Sequence, residues 1–495
     1  MKKKIVVIGA GISGMAAALR LQTNGFDVTV IEKNPVPGGK AGTLTSGGFR
    51  FDTGPSLLTL PELAQELLTD AGTDVILDLT SLKSSCKYFW HDGTVVNAFA
   101  SAEDFSKELE HTLAIPPRFI EAYLKQCRVL YELAAPVFIF SAFHRLKTFS
   151  SDAAKRIAKN ILKLDAITTL HKRNTSLLHH PKAVQIFNRY ATYNGSNPYK
   201  APATLRMIAH LEHNKGAWML AGGMTTLTET LFESARQVGV DFLFNAEVSE
   251  IVLDNKKAVG VKTGQRVIEA DAVISAVDIY QVYHTLLPGF RLPRRLKRAG
   301  LSSSAIVFFW GMKGTFPSLD VHNILFSANY AAEFEMIFKR KGIYEDPTVY
   351  IYISSKLSTC DAPHGHENWF VMINSPHNAG QNWKALVEYT REIVVRKIAS
   401  ILKIDVKQHL VYESIANPAS LEVQTNSYNG ALYGPSSNSK WSAFNRHPGF
   451  SRKIKNLFFA GGTVHPGGGI PLCLASAKLA AEEVENLFVD DKNEK

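Results

Sequence analysis

The chain has 495 residues, 45% of them apolar, with 55 basic and 45 acidic side chains and a formal net charge of +10. That length supports more than one domain and a large core. The four cysteines, Cys86, Cys127, Cys360 and Cys473, are far apart and form no CxxC pair, so neither a disulfide framework nor a zinc site is suggested and a reducing compartment is the simplest setting.

Ile5 to Ile8 form a short apolar run suited to a buried parallel strand, and Gly9-Ala-Gly11-Ile12-Ser13-Gly14 follows at once. MAAALRLQTNG then reads as a helix, DVTVI as a second strand, and Glu32 stands at its end, 18 positions after Gly14. In that order Gly9 permits a tight turn, Gly11 lets the backbone approach a pyrophosphate, and Gly14 lets the helix pack on the strand. The helix start offers N–H groups and the positive end of its dipole to phosphates. Glu32 is placed to accept from ribose hydroxyls, and an acid there disfavours a 2'-phosphate. The same opening could pass for a secretory signal, but the ordered strand, glycines, helix, strand and acid favour a dinucleotide site.

Lys33 begins the segment KNPVPGGKAG, with Gly38, Gly39 and Lys40, followed by GGFRFDTGPSLL. Read alone, this is a polar turn before a hairpin. It also resembles the extended flavin signature of the amine oxidase and carotenoid desaturase superfamily, which implies FAD lying along Gly39 and Lys40 and extends the expected cofactor contacts to Lys33, Ser56 and Leu57.

LAAPVFIFSAF (133–143) is the nearest candidate for a membrane span, but it falls short of the ~18 to 20 residues a spanning helix needs and contains a proline. The stretch 145–182 that follows carries nine Lys or Arg against two Asp and has a helical appearance. Basic side chains beside an apolar amphipathic segment favour an anionic membrane surface over a solvated helix face. RLPRRLKR (291–298) is a second basic cluster that could add to it. No nucleic-acid-binding signature accompanies either cluster, so no nucleic acid is expected as a partner.

RYATYNGSNPYKAPATLRMIAHLEHNKGAWMLAGGM (189–224), followed by TTLTETLFESARQVGV, is similar to the YxGxxPYxAPA and GGM segments of the bacterial-type phytoene desaturase family of carotenoid desaturases. Residues 238–275 then read as short strands with turns at DNKK and KTGQ. By the resemblance they return the chain to the nucleotide domain, with the backbone of Val248 beside the adenine. Asp278 reads as a helix cap rather than a ligand. SAIVFFWGM, NILF, TVYIYISS and NWFVMINS, between 304 and 375, predict a separate, mostly antiparallel sheet, one face of which could wall an apolar pocket.

GGTVHPGGGIP (461–471) places five glycines between the apolar strand NLFFA and the helix PLCLASAKLAAEEVENLF. The resemblance sets Gly461, Gly462, Gly468, Gly469, Ile470 and Pro471 against the reactive end of FAD. The wording HPGGGIPLCLASAK looks closer to the 1'-hydroxycarotenoid 3,4-desaturase branch than to the phytoene or diapophytoene desaturases, which remain the alternative.

The resemblance implies an α/β fold. Its expected parts are a discontinuous Rossmann-type FAD-binding domain (1–75, 220–285 and 450–495), a mixed α+β substrate domain (286–449), and a helical substrate and membrane-contacting region (76–219). It implies a cytoplasmic, peripherally membrane-bound FAD oxidoreductase acting on CH–CH groups of a carotenoid, in which hydride transfer to the flavin and loss of a neighbouring proton form a C=C bond. No metal is expected, and with no second GxGxxG for a nicotinamide, the electron acceptor is expected to be a quinone or oxygen. No catalytic base is identified. His465, beside the glycines, is either a base or a residue that shapes the turn. A flavin amine oxidase, a retinoid saturase-like enzyme, and a prenyl-lipid binder of the GDP dissociation inhibitor type are the competing classes. The intact Gly9, Gly11, Gly14 and Glu32 set argues against the last.

Overall fold

The computed structural model describes residues 2–493. Its first sheet is parallel, with strands in the order Leu457–Phe459, Ala272–Ser275, Lys4–Ile8, Asp27–Ile31 and Asp241–Leu243. KIVVI and AVIS are continuous apolar runs because both of their faces are covered. Ile5, Val7, Val28 and Ile274 pack with the helices Ile12–Thr23, Thr225–Gln237 and Ile470–Asn493. Val6, Ile8, Ile31 and Val273 pack on the opposite side with Val248, Ile251 and Val261 of the three-stranded sheet that spans 248–269. Residues far apart in the chain thus meet in one layer, which brings the two glycine-rich loops to the same edge.

The second sheet has the strand order Leu410–Ala416, Ser304–Lys313, His366–Ser375, Val349–Tyr352, His322–Leu325, Ser84–Phe89 and Val95–Phe99. The four apolar runs between 304 and 375 form its centre and pair antiparallel with their neighbours in that run. The stretch 76–219 carries helices between Ala102 and Lys215, as expected, but not at its start. Its residues 84–99 supply the last two strands at one end of the sheet, the first of which pairs parallel to His322–Leu325. The alternation of SSCKYF and VVNAF is short, and its partner lies more than 200 residues downstream, so only the closed sheet reveals it.

One face of this sheet, with Phe308, Trp310, Leu325, Val371 and Ile373, packs on Val394 and Ile398 of the helix Trp383–Leu402. The other face, with Val307, Phe309, Phe370 and Tyr352, meets Phe49 and Phe51 of the hairpin Thr43–Ser46 and Phe49–Asp52. The basic stretch 145–182 is a set of short helices, Leu146–Phe149, Asp152–Lys159 and Leu170–Leu178, rather than one long one. The helix Pro117–Phe138 contains Pro136, and among the described residues no helix is long and apolar enough to cross a membrane.

Candidate functional site

The first glycine loop is built from backbone. Gly9 N–H donates to Ile31 O at 2.8 Å, Ala10 N–H to Glu32 Oε2 at 2.8 Å, and Asn34 N–H to Glu32 Oε1 at 2.9 Å. Glu32 therefore braces the loop with one lone pair on each oxygen, and each oxygen has a second to offer. A Cβ on Gly14 would lie 1.9 Å from Gly9 O, so no side chain fits at that position. Gly11 begins the helix Ile12–Thr23 without a side-chain cap, leaving the helix-start N–H groups for an anion. The side chains of Ile12 and Ser13 are buried, and Ser13 Oγ donates to Cys473 O at 3.2 Å, tying the first helix to the last.

The segment after Lys33 lies against this loop. Gly38 N–H donates to Ala10 O at 2.9 Å, and a Cβ on Gly39 would approach Gly11 Cα to 3.2 Å. Gly39 and Lys40 are exposed in the cleft, whereas Lys33 reaches outward to Val423 O at 3.4 Å. Lys40 Nζ donates to Leu432 O at 2.8 Å. Although it is open to solvent along the cleft, surrounding protein lowers its pKa, and Asp278 and Cys473 oppose that shift. Residues 243–246 run beside Glu32 through Glu32 N–H to Leu243 O and Ala246 N–H to Glu32 O, at 2.8 and 2.9 Å, and lead into Val248, which is buried.

The second glycine loop is shaped by side chains from elsewhere. A Cβ on Gly468 would meet Tyr433 Cδ1 at 2.5 Å, and one on Gly467 would meet Arg446 Cζ at 3.3 Å. Gly461 N–H donates to Ser476 Oγ at 3.1 Å, and a Cβ on Gly462 would lie 3.2 Å from Gly468 Cα, so the loop folds on itself. Gly469 has φ of +105° and open space around it, facing the cleft. Ile470 is buried and Pro471 half-buried where the last helix begins.

Of the two roles open to His465, the geometry fits turn shaping. Its ring is buried, Nε2 lies 2.9 Å from Ser141 O, and it meets Phe143 edge-on at 4.7 Å. Burial lowers its pKa to about 4. It thereby pegs the glycine loop to the turn after Pro117–Phe138. Asp278 is a cap, as expected: it accepts from Tyr280 N–H at 2.9 Å and from Tyr428 N–H at 3.1 Å.

The middle motif reaches both the second loop and the hairpin 43–52. Gly195 has φ of +54°, and a Cβ there would meet Tyr433 at 2.8 Å and Ser302 at 2.9 Å. Tyr433 therefore sits between Gly195 and Gly468, a role the sequence did not reveal because nothing local to LYGPSS marks it. Gly223 of the GGM segment would place a Cβ 2.4 Å from Arg50 Nη2 and 2.6 Å from Asp52 Oδ1. Arg50 and Asp52 pair at 3.0 Å, Asp52 accepts from Met224 N–H at 3.2 Å, and Tyr352 donates to Asp52 Oδ2 at 3.0 Å. In the same motif Arg189 and Glu212 form a buried ion pair at 3.0 Å, with Tyr190 donating to Glu212 at 2.9 Å.

The face of the second sheet turned toward the hairpin 43–52 is apolar but not sealed. Leu57, Tyr350, Met372, Leu421 and Leu432 are half-buried there, packed against the buried cluster that includes Phe309 and Phe370. Lys40, bonded to Leu432 O, joins this face to the cleft between the glycine loops. Ser56 reaches the same face, with Oγ 2.6 Å from Tyr350 Oη.

Residues 12–485 match the family described as flavin containing amine oxidoreductase. The chain belongs to that family. It is 45% identical to the 1-hydroxycarotenoid 3,4-desaturase of Flavobacterium sp. (strain P99-3), over 98% of this chain and 99% of that one. It is 30% identical to the 4,4'-diapolycopene oxygenase of Methylomonas sp, over 97% and 98% of the two chains. Among solved structures it shares its fold with the cyclohexylamine oxidase of Brevibacterium oxydans IH-35A at a TM-score of 0.62 and 17% identity, over 98% of this chain and all of that one. FAD, the cofactor of this flavin oxidoreductase, fits the residues present. Gly11 leaves open space at the helix start, where an added Cβ would meet nothing nearer than Gly39 Cα at 3.9 Å, the uncapped helix start offers N–H groups to a pyrophosphate, and Gly469 leaves bare backbone at the far side.

Proposed function

We propose that this flavin oxidoreductase is a carotenoid desaturase that forms the 3,4 double bond of a 1-hydroxycarotenoid. The observation that carries the reading is the 45% identity, running almost end to end, to a relative named for that reaction. Bound FAD supplies a two-electron hydride acceptor. In this reading Gly9, Gly11, Gly14, Gly39 and the N–H groups of Ile12 and Ser13 hold the dinucleotide, Glu32 takes the ribose, and the backbone of Val248 borders the adenine. Lys33, Lys40, Ser56 and Leu57 flank the cofactor along the cleft. Gly461, Gly462, Gly468, Gly469, Ile470 and Pro471 form the floor of the reactive end. The half-buried face of Leu57, Met372, Leu421 and Leu432 supplies an apolar wall along which a polyene lies and from which water is excluded.

The substrate loses a hydride from one carbon and a proton, which passes to solvent, from its neighbour, so two electrons leave it and a C=C bond forms. A quinone or oxygen would then take up those two electrons with two protons, giving a quinol or hydrogen peroxide. The test is incubation of FAD-loaded protein with a 1-hydroxycarotenoid and, separately, with phytoene, followed by chromatography. A new 3,4-unsaturated hydroxycarotenoid is expected, and conversion of phytoene alone would overturn the reading. Reduction of the flavin by substrate without air, with recovery on adding quinone but not NADP, tests the acceptor.

Peripheral membrane contact belongs to the same proposal. Leu146 and Ile161 are 88% and 63% exposed, and Phe140, Phe149, Trp441 and Phe444 are also exposed, with Lys147, Lys155, Lys159 and Lys163 in the same stretch. Apolar side chains enter the headgroup boundary while lysines meet anionic lipid. A surface cleft of about 400 Å³ opens beside them, lined by Tyr131, Pro136 and Phe140. The helix Pro117–Phe138 reaches Ala475 of the last helix through Ala135 and Ile139, which joins this surface to the glycine loop. The basic cluster at 291–298 packs through Leu296 on the opposite face of the first sheet and forms no part of this surface. Co-sedimentation with anionic phosphatidylglycerol vesicles, lost in a Leu146→Ser and Phe149→Ser double variant, is the expected result. Equal recovery with and without vesicles would sink it.

A further inference from the structure

An apolar wall explains how a polyene is held but not how one end of it is told from another. The polar groups set into that wall carry the inference, which rests on the desaturase reading above. Tyr350 pairs across the strands with Met372, and both are half-buried beside Leu57. Its phenol oxygen lies 2.6 Å from Ser56 Oγ on one side and 2.7 Å from His322 Nδ1 on the other. His322 is 3% exposed and stacked on Tyr352 at 5.0 Å. Its Nε2 has no hydrogen-bond partner among the described residues. The imidazole is thus a dedicated partner of Tyr350, placed behind it and away from solvent.

We propose that Tyr350 and Ser56 bind the hydroxyl group at the end of the carotenoid and that His322 is a positioning residue that fixes the direction of the Tyr350 O–H. Burial lowers the pKa of His322 to about 3, so its ring is neutral and one nitrogen is free to accept. With Nδ1 accepting, the Tyr350 proton is committed to the imidazole and Ser56 donates to Tyr350. The remaining lone pairs on both oxygens then accept the substrate O–H. A hydrocarbon terminus brings no proton to these oxygens and displaces the water that would otherwise solvate them, so it is discriminated against. In the relative's reaction the hydroxyl is carried at position 1 and the new double bond joins positions 3 and 4. Anchoring the hydroxyl therefore also sets which C–C bond reaches the reactive end.

The experiment compares kcat/KM of the FAD-loaded full chain for a 1-hydroxycarotenoid and for the same polyene without the hydroxyl. Tyr350→Phe is expected to lower the ratio of the two by about tenfold or more, the scale set by loss of one buried hydrogen bond. His322→Leu is expected to lower the ratio in the same direction, and His322→Gln, whose amide oxygen still accepts from Tyr350, to recover most of it. Damage to the fold alone lowers both substrates together and leaves the ratio where it was. A Tyr350→Phe ratio within twofold of the wild type, including the case in which both activities fall equally, overturns the hydroxyl site. If the wild type itself converts only the polyene without a hydroxyl, the reaction assigned above falls and the hydroxyl site with it. A wild-type preference for the hydroxylated substrate that Tyr350→Phe leaves intact overturns the hydroxyl site alone.

Discussion

The two glycine loops end at the same cleft, but they are held in opposite ways. At the N-terminal loop the atom that forbids a side chain on Gly14 is backbone, Gly9 O at 1.9 Å. At the C-terminal loop the neighbours of Gly467 and Gly468 are side chains, Arg446 and Tyr433, brought from another part of the chain. One loop is therefore a local motif that carries its own geometry. The other is a junction, and Tyr433 makes it depend on Gly195 of the middle motif as well. The geometry of the first loop is set within its own stretch of chain, whereas that of the second is set by side chains that lie outside it.

The contrast breaks most sharply at Gly14. Gly14→Ala forces a methyl into backbone that cannot move without parting helix and strand. The expected outcome is protein without bound flavin and a loss of about 3 kcal/mol in urea unfolding, read by absorbance and circular dichroism. Retention of flavin at wild-type occupancy would contradict the local account. Gly468→Ala is expected to cost about 1–3 kcal/mol because its obstacle is the Tyr433 ring. Adding Tyr433→Leu should restore much of the lost stability and flavin retention, whereas no single side-chain change should rescue Gly14→Ala.

Acid is expected to act on the second loop rather than the first. His144, His447 and His465, grouped around its outer side, have pKa values lowered by burial to about 3, 4 and 4. In the unfolded chain they titrate near the ordinary value of about 6.5. Between these limits the unfolded state binds more protons, so their contribution is complete above pH ~6.5 and is lost as pH falls toward 4. Flavin release and unfolding should therefore steepen below pH ~6.5, and His465→Phe should flatten the slope. An unchanged slope in that variant would show that His465 is not one of the responsible groups. The smallest effect is expected at Lys40→Met, which removes the bond to Leu432 O while keeping the stem. A stability loss of about 1 kcal/mol is expected, with a measurable shift in the flavin reduction potential because a cation is removed from the cleft.

The same contrast governs what could be read before folding. The first strand, glycine loop, helix and Glu32 were legible because the motif is contiguous and each residue type has a local task. The four central strands of the second sheet were legible from their apolar runs. Residues 84–99 were not, because SSCKYF joins the sheet through a parallel partner at 322–325 that no local pattern announces. The link from Arg50 and Asp52 to Gly223 escaped for the same reason, since FRFD and GGM read separately as a strand and a turn. His465 was legible as a residue next to the glycines, but only its contact with Ser141 O distinguished a peg from a base.

By itself the sequence determined the positions that need bare backbone, the apolar periods that become strands, and the acid that ends the second strand. These are short-range consequences of sterics, hydrogen bonding and alternation. Only the tertiary structure decided which side chains close on the second loop, which half-buried residues wall the apolar face, and that Ser56, Tyr350 and His322 stand in line. Those groups lie on separate elements, Ser56 and Tyr350 being 294 positions apart in the chain, and their meeting is set by how two sheets and their covering helices bury apolar surface together.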